Sequence, residues 1–146
     1  MALLSLTPYD RSFYEEQLSD FLPDKFIDCH NHIWLSRFVT GQDNAGRSCA
    51  WTKMVAKDKS IEDLIQINLD LFPGKTVIPF LYSYVNVAVD IKQSNANVKQ
   101  CAKTHRFPAL YLSRPDEPFE EIEKNVISGG FCGLKVYLDL PLLHSY

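Results

Sequence analysis

The sequence predicts an α/β fold built around a parallel sheet. Three observations lead there. Short runs of β-forming residues occur at 25–29, 76–82, 109–112 and 131–138; a segment of helical periodicity lies between each run and the next; and Pro or Gly signals close those segments. Strands that alternate with helices in this way form parallel pairs through right-handed crossovers.

The elements follow in order. Thr7-Pro8-Tyr9-Asp10 reads as a helix start, with Thr7 as N-cap, Pro8 at the first helical position and an acid in the first turn. Tyr14, Leu18, Phe21 and Leu22 recur at helical spacing until Pro23. The first strand then runs into two histidines. Residues 34–59 keep no period and carry turn formers at Gly41, Asp43, Asn44 and Gly46. Long loops of that kind inside a compact domain are functional or disordered. Ser60 and Asp63 form a capping arrangement ahead of Ile61, Leu64, Ile65, Leu69 and Phe72, and Pro73-Gly74 stops that helix.

The second strand contains Pro79, which removes one ladder donor. Ile91, Val98, Cys101 and Ala102 mark the next helix, ending near His105, a basic residue favourable to the C-terminal dipole. After the third strand, Arg114 to Pro118 turn into a helix carrying Phe119, Ile122, Val126 and Ile127, with Gly129-Gly130 as its C-terminal cap. In the fourth strand, period two puts Leu134 and Val136 on one face, toward the helices, and Lys135 and Tyr137 on the other.

Composition narrows the function classes. The chain has 146 residues, 46% of them hydrophobic, and a net charge of −3. That is one folded domain, 1–146, without the basic surface that neutralises nucleic-acid phosphates. No apolar run approaches the roughly 20 residues a membrane helix needs, and no signal peptide is evident, so a cytoplasmic protein is expected. Cys29, Cys49, Cys101 and Cys132 show no Cys-x-x-Cys spacing. They read as free thiols, with Cys29 packed in the core rather than acting as a nucleophile.

Chemistry concentrates at Phe26-Ile27-Asp28-Cys29-His30-Asn31-His32. On a regular strand Phe26, Asp28, His30 and His32 share one face, and Ile27 and Cys29 the other. The two histidine Cα atoms then lie roughly 6.6 Å apart at a rise of about 3.3 Å per residue. Two imidazoles at that separation reach one divalent ion, with Asp28 in support; the other reading is a pair of ordinary half-buried histidines. Arg37, Arg47 and Trp34 are candidate substrate-binding residues in the long loop, with Trp51 beside them; equally, the arginines are solvated and the tryptophans anchor the loop.

Four stretches together resemble a known family. Phe26 to His32, Val77-Ile78-Pro79-Phe80, Pro108 to Pro115, and Gly129 to Tyr137 with its Gly-x-x-Gly-x-Lys pattern are similar to the amidohydrolase superfamily. The nearest likeness is to its amidohydrolase-related branch of metal-dependent hydrolases. The resemblance implies a partial (β/α)8 TIM barrel of four parallel strands, crossover helices and an N-terminal helix. Since a barrel takes about 250 residues, the chain is expected to be the N-terminal half, truncated after the fourth strand.

The resemblance also implies a divalent metal, zinc foremost, held by His30 and His32. Lys135 is a further candidate, as a bridging carboxylated lysine, in another role, or in a structural ion pair. A general-base Asp is expected beyond residue 146, and His144 falls too early to be a later-strand ligand. The implied reaction is water attack on an amide, ester, lactone or related C–N or C–O bond of a small-molecule substrate. Some relatives decarboxylate instead. The chain alone is expected to be inactive. The rival reading is a non-catalytic half-barrel that binds a partner or a second copy of itself through open sheet edges.

Overall fold

The computed structural model describes residues 5–41, 57–84 and 88–137. Arg47, Cys49, Trp51 and His144, singled out above, lie outside the described residues. The described chain is mixed α/β: four α-helices and four strands, all strand pairings between them parallel.

Helix α1 spans Pro8–Phe13 and continues into a π-helical segment, Tyr14–Leu18. Its start is a reciprocal cap. The Thr7 hydroxyl accepts the Asp10 N–H at 3.2 Å, and the Asp10 carboxylate accepts the Thr7 N–H at 2.8 Å. Those bonds hold the Asp10 carboxyl below its usual range. Tyr14 is buried, and its hydroxyl donates to the Pro73 carbonyl at 2.8 Å, docking this helix on the turn before the second strand. Phe21, expected to continue the apolar stripe, is 81% exposed, because the helical segment ends at Leu18.

Strand β1 is Lys25–Ile33 and β2 is Thr76–Ser83. Helix α2, Ile61–Leu71, connects them and starts on the Ser60–Asp63 capping box. It buries Ile61, Leu64 and Asn68, while Leu69, expected on the buried face, is solvent-exposed. Helix α3, Ile91–His105, is capped by Asp90, and Arg106 closes it in the left-handed region at φ 58°. Strand β3 is Leu110–Leu112, helix α4 is Phe119–Gly129 with Gly130 at φ 72° in the left-handed C-terminal position, and β4 is Gly133–Lys135. The core lies between the β1–β2 sheet and the helices. Ile33 and Leu81 meet Ile61 and Leu64 of α2, Val98 of α3, and Ala109 before β3.

The expected single four-stranded sheet is divided into β1–β2 and β3–β4, joined by one parallel bridge between Leu81 and Ala109. Asn95 of α3 explains the division. The backbone groups of Pro108, Leu110 and Leu112 point toward β2, and the Leu81 N–H takes the Pro108 carbonyl at 2.9 Å. At Leu112 the place of β2 is taken by the buried Asn95 side chain. Its Oδ1 accepts the Leu112 N–H at 3.1 Å, and its Nδ2 donates to the Leu112 carbonyl at 2.8 Å. The ladder groups are satisfied without a neighbouring strand.

Strand β1 carries a bulge. Asp28 pairs with Pro79 but Asn31 pairs with Leu81, so β1 uses one residue more than β2 between these points. The extra residue falls beside the proline, which has no N–H to give the ladder. The bulge changes which side chains share a face. Phe26 and Asp28 pair with Val77 and Pro79, in phase with Leu81 on the helix side, and Phe26 packs edge-on against Phe72 with centroids 5.3 Å apart. His32 pairs with Tyr82 on the opposite face. The expectation that Phe26 and Asp28 share the histidine face is therefore corrected. Cys29 is corrected as well, being solvent-exposed rather than in the core. No helix among the described residues is long and apolar enough to cross a membrane.

Candidate functional site

The face opposite the Leu81 side gathers His30, His32, Tyr82, Lys135 and Tyr137. The two imidazoles lie with ring centroids 5.3 Å apart at the C-terminal end of β1, as the His-x-His spacing predicts. Tyr82, the register partner of His32, stands edge-on to both, 4.4 Å from the His32 ring and 5.6 Å from that of His30. From β4, Lys135 reaches the same face, its Nζ 4.7 Å from the Tyr82 ring centroid and 5.1 Å from that of Tyr137. The period-two reading thus puts Lys135 on the correct side. Leu134 and Val136 take the other side but are solvent-exposed instead of packed under helices.

His32 is held at both ring nitrogens. A carbonyl oxygen only accepts, so the contact of 2.9 Å between Nδ1 and the Ser83 carbonyl requires a proton on Nδ1. Nε2 then carries a lone pair, which accepts the Tyr137 hydroxyl at 3.3 Å. Burial pushes the His32 imidazolium down to about 4; the Ser83 carbonyl opposes this, and the positive charges of His30, Lys135 and Lys59 add to it. At neutral pH His32 is an uncharged imidazole of one tautomer. The His30 ring is solvent-exposed, and its backbone N–H donates to the Asp28 carboxylate at 3.1 Å.

The remaining candidates are less central. Trp34 forms an antiparallel bridge with Lys59, whose Nζ lies 5.7 Å from the indole centroid, and it packs against Tyr84 at 5.8 Å. That is an anchored tryptophan, fastening the entry to α2 beside the end of β1. Burial lowers the Lys59 ammonium from its usual value, and Asp28 partly restores it. Arg37 lies on the 3₁₀ turn Ser36–Phe38, exposed, with its guanidinium 4.9 Å over the Phe38 ring and away from the histidine cluster's ring contacts.

Tyr82, Tyr137, Ser83 and Lys59 receive no site role from the sequence. The signal for Tyr82 is its register opposite His32, which depends on the bulge in β1. The Ser83 carbonyl is a backbone acceptor that any residue supplies, so no side-chain pattern reports it.

No family model, curated protein or solved structure matches this chain. His30 and His32, the latter with its tautomer set by a carbonyl, are the two imidazoles here of the type that ligates metals. Among the described residues no group of three or more His, Cys, Asp or Glu side chains is arranged to hold an ion.

Proposed function

We propose that this chain supplies part of the active site of a metal-dependent hydrolase of the amidohydrolase kind, with its four strands as part of a TIM barrel. His30 and His32 would hold a divalent ion, zinc foremost, through two of its positions. The observation that carries the reading is the state of His32. Its Nδ1–H is fixed on the Ser83 carbonyl, which leaves Nε2, where the Tyr137 hydroxyl now donates, as the nitrogen open to a ligand, with the His30 ring 5.3 Å away. Metal-binding histidines have this arrangement, in which a carbonyl on the far nitrogen sets the tautomer and the ring direction.

When bound, the ion lowers the pKa of a water molecule and polarises the substrate carbonyl. The chain's own residues orient and charge the pocket. Burial keeps the His32 lone pair free of a proton at neutral pH. The Tyr137 hydroxyl, which donates to Nε2, is the group a ligand at that nitrogen would displace. Lys135 contributes a positive charge next to both tyrosine rings. Attack on an amide, ester, lactone or related bond of a small molecule is the reaction class, and decarboxylation is the variant within it. Among the described residues no third ligand joins the two histidines, so zinc is expected to bind this chain weakly and turnover is not expected from it alone.

Calorimetric titration of the chain with zinc tests the proposal. Saturable binding that the double variant His30→Ala/His32→Ala loses supports it, and unchanged binding by that variant places the metal elsewhere. A second reading, a self-associating module, is favoured by the exposure of Ile27 on β1 and of Leu134 and Val136 about β4, at the two ends of the strand order. Sedimentation equilibrium decides it: a stable homo-oligomer supports that reading, and a monomer removes it.

A further inference from the structure

Tyr82 has the one buried side-chain polar atom without a hydrogen-bond partner among the described residues. The residue is 1% exposed, and its ring is enclosed by His30, His32 and the Lys135 ammonium. A buried hydroxyl without a partner leaves its desolvation uncompensated, and such groups in folded proteins call for a partner, commonly a ligand. The tyrosine could have been a phenylalanine at no loss of packing. The fold therefore carries a donor that it does not use.

The surroundings define what that donor would meet. Lys135 makes no ion pair among the described residues; its Nζ rests against two aromatic faces, which leave its N–H groups free. The charged or titratable groups around this cluster are His30, Lys135, Lys59 and Asp28. The Asp28 carboxylate is on the helix-side phase of β1 and is engaged by the His30 N–H. His32 is uncharged and its Nδ1–H is already spent on Ser83. Two cations against one engaged carboxylate leave net positive charge beside an idle phenolic O–H. A neutral amide or an alcohol would use the O–H but not the charge. A carboxylate uses both, and the exposed His30 ring and the part-exposed Tyr137 ring stand beside the body that carries it.

We infer that the Tyr82 hydroxyl and the Lys135 ammonium form a carboxylate subsite beside the two histidines, which takes the carboxylate group of a small organic acid. The inference deepens the proposed function and rests on it for the role of the pocket. It assigns Lys135 to the substrate rather than to the metal.

The test is calorimetric titration of the full chain, stripped of metal by chelation, with sodium acetate and sodium benzoate, and with benzamide and inorganic phosphate as comparators. Saturable benzoate or acetate binding is expected, with benzamide at least about tenfold weaker, because it lacks the charge. Tyr82→Phe is expected to weaken carboxylate binding about tenfold while keeping or raising the melting temperature, since it removes an unpaired buried hydroxyl. Lys135→Gln is expected to abolish binding. The inference is overturned by absence of saturable carboxylate binding to the parent chain, by phosphate binding more tightly than either carboxylate, or by Tyr82→Phe binding benzoate as well as the parent. It is also overturned if Tyr82→Phe melts several degrees lower, which would make the hydroxyl a structural group. Because no metal is present, failure here is separate from failure of the zinc titration.

Discussion

The β1–β2 half and the β3–β4 half of this molecule are made from the same kind of sequence and end differently. In the first, a nine-residue and an eight-residue strand pair along their length, and α2 and α3 both bury side chains against them. In the second, two three-residue strands pair, and α4 has no fully buried residue, Ile122 and Val126 being only partly covered. Yet α4 has an apolar stripe as clear as that of α2. Phe119 and Ile127 belong to it and are 71% and 74% exposed. An amphipathic period records what a helix is able to bury, and the neighbouring elements decide what it does bury.

The largest expected effect lies in the first half. Leu81→Ala should cost about 3 kcal/mol, because a fully buried side chain in the central cluster is removed. Ile127→Ala should stay within about 0.5 kcal/mol. Urea unfolding of the two variants measures the contrast; equal losses would mean that α4 is covered in solution and the halves are alike.

Asn95 tests the joint between the halves. Asn95→Ala leaves the buried N–H and carbonyl of Leu112 without partners, at a cost of about 2 kcal/mol. Hydrogen exchange should accelerate first at Leu112 and the β3–β4 pair, with β1–β2 amides little affected. Uniform acceleration throughout would show one cooperative unit.

The third expectation is of similar or smaller size and concerns pH. His32 binds its proton near 6.5 when unfolded but only at about 4 in the fold. The unfolded chain therefore takes up the proton first. Its contribution to stability is whole above about 6.5 and is lost as pH falls toward 4, amounting to about 2 kcal/mol after allowance for partial solvent access. Urea midpoints of the parent and of His32→Asn, compared at pH 7.5 and 4.5, measure it. Parallel pH dependence in the two proteins would show that His32 is not the neutral, buried group described.

Much of the candidate site was legible. His30 and His32 meet at a strand end because two residues of strand rise put them there, and Lys135 joins them because β4 keeps a regular alternation. The face of Asp28 was not legible because one extra residue in β1 reverses the phase, and that insertion shows only in the pairing with β2, beside Pro79. Tyr82 and the Ser83 carbonyl were not legible for the same reason. Their place opposite His32 is a property of the pairing register, which neither strand contains by itself.

By itself, the sequence determined what is decided within a few residues. The Thr7–Asp10 and Ser60–Asp63 caps, the stop at Pro73-Gly74, the left-handed Gly130 and the order of strands and helices all rest on local hydrogen bonds and backbone sterics. Tertiary structure alone decided the bulge, the substitution of Asn95 for a strand neighbour, the exposure of Cys29 and the α4 stripe, and the single tautomer of His32. Each of these depends on a partner distant in the chain that supplies or withholds a hydrogen bond or a covering surface, and local pattern carries no record of where that partner will stand.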